Sequence, residues 1–187
     1  MSVVIGIKID GKVYIGADSC TTNSGMKFID KHQLNKKIVK FSNGLIIGHT
    51  GRRRTFDLVK TMNFQFNGVL DQKYLVRYFI PKLLDELKTF GYLDEDEHFE
   101  QIESRFIVAY QDKMFVIAGD TSVREVDDFA TIGSGESEAF GSVYTTKEEN
   151  PEIIIRDAIK ATSMHDECVS MPAIIMNTSS DDVKIYE

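Results

Sequence analysis

The stretch VVIGIKIDGKVYIGA, Val3 to Ala17, constrains the fold of this chain more than any other. Two runs rich in β-branched residues, Val3 to Ile9 and Lys12 to Ala17, are separated only by Asp10-Gly11, a dipeptide that accepts the positive φ angles of a two-residue hairpin turn. The chain is therefore expected to open with an antiparallel hairpin. A second pair of apolar runs, Lys37 to Phe41 and Leu45 to His49, is joined through Ser42-Asn43-Gly44, again a strong turn signal. The polar stretch Cys20 to Asn35 between the two pairs is a longer connection with room for a short strand of its own.

From Arg52 to Phe90 the period changes. Phe56, Val59, Lys60 and Asn63, and then Leu75, Tyr78, Phe79, Leu83, Leu84 and Leu87, recur at three and four residues, which predicts two amphipathic helices divided near Gly68. Pro81 lacks a backbone donor and should kink or delay the second helix. The acidic run Asp94 to Glu97 reads as a solvated loop. Strands are expected again at Arg105 to Tyr110 and Lys113 to Ala118, turned by Gln111-Asp112, and at Phe129 to Ile132. Helices follow at Glu136 to Thr145 and Pro151 to Met164, the second with proline in its first turn, and Ala173 to Asn177 and Val183 to Tyr186 close the chain as a strand pair.

Strands thus come in hairpins and helices in pairs, which predicts an α+β protein with antiparallel sheets. If helices cover one face of each sheet and the other faces pack together, the result is a four-layer αββα sandwich. With 187 residues, no internal repeat and no linker, residues 1–187 read as a single domain. Twenty-nine acidic against 22 basic residues give a net charge of -7, which argues against nucleic acid or an anionic membrane as partner. Two cysteines far apart in sequence, Cys20 and Cys168, fit no metal spacing and suit a reducing compartment. Without a signal-peptide pattern or an apolar run of membrane-spanning length, a cytoplasmic protein is the expectation.

Three segments, IGIKIDGKVYIGADS, KIVKFSNGLIIGHTG and ATIGSGESEAFG, resemble successive motifs of proteasome β subunits and of the HslV peptidase, in order and with similar intervals. The resemblance implies an N-terminal-nucleophile (Ntn) hydrolase, and specifically hydrolysis of peptide bonds by Ser2 once Met1 is removed. Serine then stands where threonine is usual, losing a methyl group that restricts the hydroxyl's rotamers. A chain-terminal residue carries both a hydroxyl and an α-amino group of pKa about 7.7–8.0, so it can serve as nucleophile and base at once. Serine after an initiator methionine is otherwise unremarkable.

By the same resemblance Asp18 and Lys37 form an ion pair that tunes the nucleophile, with Lys36 as the competing register; taken alone, Asp18 is a strand-ending acid and Lys37 one of the lysines of KKIVK. Gly48 corresponds to the glycine whose N–H receives the oxyanion, although a glycine also suits a strand end. Ser134, in Gly-Ser-Gly between a strand and a helix, either hydrogen-bonds the terminal amine or simply caps the helix. Asp166 matches the acid that orients that amine. Asp-Glu-Cys-Val, from Asp166 to Val169, resembles the corresponding turn of HslV, whose carbonyls can hold a sodium ion; no cofactor is required, and Ser170 does not match the family's catalytic serine. His49 reads as a pocket or surface residue. Arg52, Arg53 and Arg54 oppose a helix dipole and read either as a solvated patch or as a contact to a neighbouring subunit's acidic loop. The family further implies a homo-oligomeric ring, unfolded protein or peptide as substrate, and an ATP-dependent unfoldase as partner. A non-catalytic scaffold subunit and a small-molecule amidase of the Ntn class are the alternative readings.

Overall fold

Asp10 and Gly11 both adopt positive φ, 50° and 72°, and the hairpin they turn sets the frame of the molecule. The computed structural model describes residues 2–23, 25–29, 37–90 and 102–187; the acidic run Asp94 to Glu97 and Lys36 lie outside them. Strands β1 (Val3–Ile9) and β2 (Lys12–Ala17) pair antiparallel from Val4 against Ala17 to Ile9 against Lys12. A second, largely exposed hairpin follows, β3 (Cys20–Asn23) with β4 (Met26–Ile29), so the long connection carries two strands where one short strand was expected. Next come β5 (Ile38–Lys40) and β6 (Ile46–Gly51), then helix α1 (Arg53–Thr61).

The second helical region begins with α2 (Gln72–Tyr74), whose first turn is capped by Asp71 accepting from the Tyr74 N–H at 2.6 Å. It continues through a π-helical turn, Leu75–Phe79, into α3 (Ile80–Thr89). This is how the helix accommodates Pro81: the ring has no N–H for the preceding turn, and the Ile80 N–H reaches back to the Leu75 carbonyl in a widened turn. After it lie β7 (Ser104–Tyr110), β8 (Lys113–Ile117) and β9 (Val123–Glu125), the last an exposed three-residue strand that the sequence reading lacks. Finally β10 (Phe129–Gly133), α4 (Glu136–Thr145), α5 (Pro151–Thr162), β11 (Ala173–Asn177) and β12 (Ser180–Tyr186) complete the chain.

Two five-stranded antiparallel sheets result, ordered β10-β1-β2-β11-β12 and β5-β6-β7-β8-β9. Their inner faces meet through Val4, Ile15, Ile38, Ile46, Ile107 and Met114. Val3, Ile5 and Ile7 point the other way, onto Ala139 and Val143 of α4 and Ile155 and Ile159 of α5. On the far side Ile47, Phe106, Val108 and Phe115 pack against Phe56 of α1 and Leu83 and Leu87 of α3. This is the four-layer αββα sandwich, and it explains why β1 is apolar at nearly every position: both faces of the strand are buried. Each such fully buried Val or Ile stabilises the fold by about 1.5–3 kcal/mol.

Antiparallel pairing brings six chain ends to one edge of the sandwich. The start of β1, the end of β2, the end of β10, the segment leading into β11, the start of β5 and the end of β6 all lie there. That edge carries the polar residues singled out by sequence.

Candidate active site

Ser2 precedes β1 at this edge and is 6% exposed. Its main-chain nitrogen donates to the Ser134 hydroxyl oxygen at 3.1 Å, and the Ser134 hydroxyl in turn donates to Asp166 Oδ2 at 2.5 Å. The other carboxylate oxygen of Asp166 accepts the Cys168 N–H at 2.8 Å, which closes the turn after α5 and fixes the carboxylate. Helix α4 has Gly135 as its N-cap, with no side-chain cap bond, so Ser134 links Ser2 to Asp166 and does not cap the helix.

Asp18 follows β2 and its side chain is fully buried. Oδ1 accepts from Lys37 Nζ at 2.7 Å and the Val3 N–H at 3.0 Å; Oδ2 accepts from the Cys20 N–H at 2.8 Å and the Ser170 N–H at 3.4 Å. Four donors therefore meet the four lone-pair directions of one carboxylate. The pair with Lys37 is buried, its lysine side chain only 11% exposed, and the carboxylate offsets the cost of taking that ammonium out of water. Lys37 and Ser2 both line one cavity. The Ser170 hydroxyl donates to the Val169 carbonyl at 2.7 Å.

Gly48 is not brought to Ser2's cavities. It sits within β6, opposite Ile38 of β5 and Ile107 of β7, and a Cβ there would come within 2.7 Å of Val4 Cγ1 and 3.1 Å of Ile15 Cγ2. Its glycine is required by the close approach of the two sheets. Nor does its amide face the pocket. The His49 N–H bonds the Lys37 carbonyl at 2.9 Å on the β5 side, so by strand alternation the Gly48 N–H points into the ladder with β7. Gly51, three residues on, fits the donor role better. It lines both cavities that Ser2 lines, and by the same alternation its amide points to the β5 side. At φ 119° it holds a conformation reserved for glycine, and a Cβ would run into the Glu103 carbonyl. Both glycines of IIGHTG are visible in sequence; the strand register is the signal that separates them.

On one side Ser2 opens on a cavity of about 230 Å³ walled by Ser2, Lys37, His49 and Gly51 together with Cys20, Thr21 and Thr22 of β3 and residues of α1. A second groove of about 450 Å³ lies on the other side, along Ser2, Thr50, Gly51, Gly133 and Ser134. His49 is a pocket residue. Its ring stacks on Phe56 at 4.9 Å and its Nε2 lies 3.1 Å from the Ser104 hydroxyl, and burial, aided by Lys37 and Lys60, pushes its pKa down to about 3. A neutral imidazole so placed is a poor general base at neutral pH. Burial, reinforced by Asp18, raises the Cys20 thiol above its ordinary value, which disfavours a thiolate there.

Of the three arginines, Arg52 pairs with Glu103 and Arg53 lies 3.9 Å from Asp57. Among the described residues no group of three or more His, Cys, Asp or Glu side chains is placed to hold a metal ion, and no helix is long and apolar enough to cross a membrane.

No family model matches this chain, and no curated protein matches it either. Solved structures do. BPH from Thiobacillus denitrificans aligns with a TM-score of 0.80 at 23% identity, covering 96% of this chain and 100% of that one. The same protein in complex with epoxomicin aligns at 0.77 and 22% identity over 94% and 97% of the two chains. HslV from Trypanosoma brucei gives 0.65 and 16% identity, with 94% and 98% covered. The chain has the fold of the N-terminal-nucleophile, proteasome-like peptidases.

Proposed function

We propose that this chain is a peptidase whose nucleophile is the Ser2 hydroxyl and whose general base is the Ser2 α-amine, released when Met1 is removed. The observation that carries the reading is the chain of hydrogen bonds from the Ser2 nitrogen through Ser134 to Asp166, set beside the Lys37–Asp18 pair. A terminal amine at that position keeps one acceptor fixed, which orients its lone pair for the hydroxyl, directly or through one water. The Lys37 ammonium disfavours a second positive charge on the amine and favours a developing alkoxide.

The Ser2 oxygen then attacks the peptide carbonyl while its proton passes to the amine. The carbonyl oxygen becomes an oxyanion and is received by the Gly51 N–H, a main-chain donor fixed in advance of the reaction. Collapse breaks the carbon–nitrogen bond, and the α-ammonium returns the proton to the leaving amine. An ester joins the acyl fragment to Ser2 until water, deprotonated by the same amine, hydrolyses it. No step uses a metal or cofactor; the sodium ion that the turn near Cys168 resembles a site for enters none of them.

A homo-oligomeric ring with an ATP-dependent unfoldase partner fits this reading, because a peptidase open to the cytoplasm would otherwise meet folded proteins freely. Turnover of an unfolded protein by the processed chain, and its loss in Ser2→Ala, is the test. Cleavage of small amides alone would favour the amidase reading, and a chain that keeps Met1 in its own host and cleaves nothing would be a scaffold.

A further inference from the structure

The cavity beside Ser2 has an unusual wall. Its lining joins the stacked pair Phe56 and His49 to Lys37, Arg52, Arg53 and Lys60. Among the described residues no carboxylate lines it, although the whole chain has 29 acids against 22 bases. The acids that pair with these cations stand outside the cavity lining: Asp18 with Lys37, Glu103 with Arg52, and Asp57 with Arg53 and, at 2.6 Å, with Lys60. Lys60 Nζ also sits over the Phe56 ring, 5.2 Å from its centroid.

From this arrangement we infer that the cavity takes an acidic side chain, so that the enzyme cuts on the carboxyl side of glutamate or aspartate. The inference rests on the proposed role of Ser2, since it takes the residue whose carbonyl is attacked to be the one that fills this cavity. An apolar stem lies against Phe56 and the uncharged ring of His49, and the terminal carboxylate meets Lys60 and Arg53. A carboxylate entering would meet cations on the wall, with no acid among the described residues in the lining and with Asp57 behind Lys60 and Arg53. A lysine or arginine side chain would meet like charge, and a leucine would leave the cations facing apolar surface.

Three fluorogenic substrates, acetyl-Ala-Ala-X-aminocoumarin with X as Glu, Leu or Arg, test the inference on the processed chain. The Glu substrate should exceed the other two about tenfold in kcat/KM, the factor expected of one charge-assisted contact. Its advantage should shrink as salt is added. Lys60→Glu should abolish the Glu preference and raise turnover of the Arg substrate; Lys60→Met should abolish the preference alone and serves if the charge reversal does not fold. Turnover led by Leu or Arg, or a Glu preference untouched by both variants, overturns the inference. Failure to cut any of the three counts against Ser2 as nucleophile. The pocket is then judged by fluorescence anisotropy of labelled Ala-Ala-Glu and Ala-Ala-Leu peptides on Ser2→Ala, where about tenfold tighter binding of the Glu peptide supports the inference and equal binding overturns it.

Discussion

Asp18→Asn is the most informative perturbation of the scaffold beneath Ser2, because the carboxylate it removes has no unused acceptor. The four donors on Asp18 are Lys37 Nζ and the Val3, Cys20 and Ser170 N–H groups, two on each oxygen. Asparagine keeps one oxygen; whichever way its amide turns, an NH₂ group faces two donors that have lost their acceptor. Each orphaned buried donor costs about 1–3 kcal/mol. Turned so as to keep Lys37, the side chain strands the Cys20 and Ser170 amides; turned the other way, it strands a nearly buried ammonium. Breaking a buried ion pair from one side costs about 3–5 kcal/mol, and we expect about 4 kcal/mol here. Guanidinium unfolding at pH 7.5 and fixed protein concentration measures it. The double variant Asp18→Asn, Lys37→Met should cost about 2 kcal/mol less than the two single changes added together, because the second change removes the stranded charge. A loss below about 1 kcal/mol for Asp18→Asn, or strict additivity in the double, would refute the argument that this carboxylate balances the buried lysine.

His49 gives a pH prediction. Its folded pKa of about 3 lies below the ordinary 6.5, so between those values the unfolded chain binds a proton that the folded chain refuses. Stability must then fall as pH drops below about 6.5, by about 1.4 kcal/mol per unit for this group, or about 2 kcal/mol by pH 5. Urea titrations at pH 7 and 5 should show His49→Gln losing less than the parent by that amount; equal losses would place the imidazole in contact with water. Ser134→Ala should leave the unfolding free energy within about 1 kcal/mol yet lower kcat about a hundredfold, since it removes the link from the Ser2 nitrogen to Asp166. Unchanged kcat would detach Ser134 from the reaction.

Much of this architecture was legible in the residues themselves. Asp10-Gly11 and Ser42-Asn43-Gly44 mark hairpin turns because few other residues adopt the required angles, and Gly44 indeed has φ 88°. Apolar residues at three- and four-residue spacing fixed α1, α3 and α5 because each helix has one buried stripe. What escaped depends on partners distant in the chain. The strand β9 is three residues long and mostly exposed, leaving no alternation to read. The π turn before Pro81 is one of several ways a helix can absorb a missing donor, and sequence does not choose among them. Ser134 has the composition of a helix cap, and only the position of Asp166, 32 residues on, turns its hydroxyl elsewhere. The amides of Gly48 and Gly51 point to opposite sides of β6, a direction set by its pairing with β5 and β7. Lys37, by contrast, stands opposite His49 and reaches Asp18 as the motif implied.

The most direct trial of the account is mass spectrometry of the chain purified from its own host, before and after exposure to epoxomicin, with the modified peptide mapped. The account predicts a mature chain that lacks Met1, gains one inhibitor mass on Ser2, and gains none when Ser2 is changed to alanine. A chain that retains Met1, or an adduct that persists in Ser2→Ala, would contradict it.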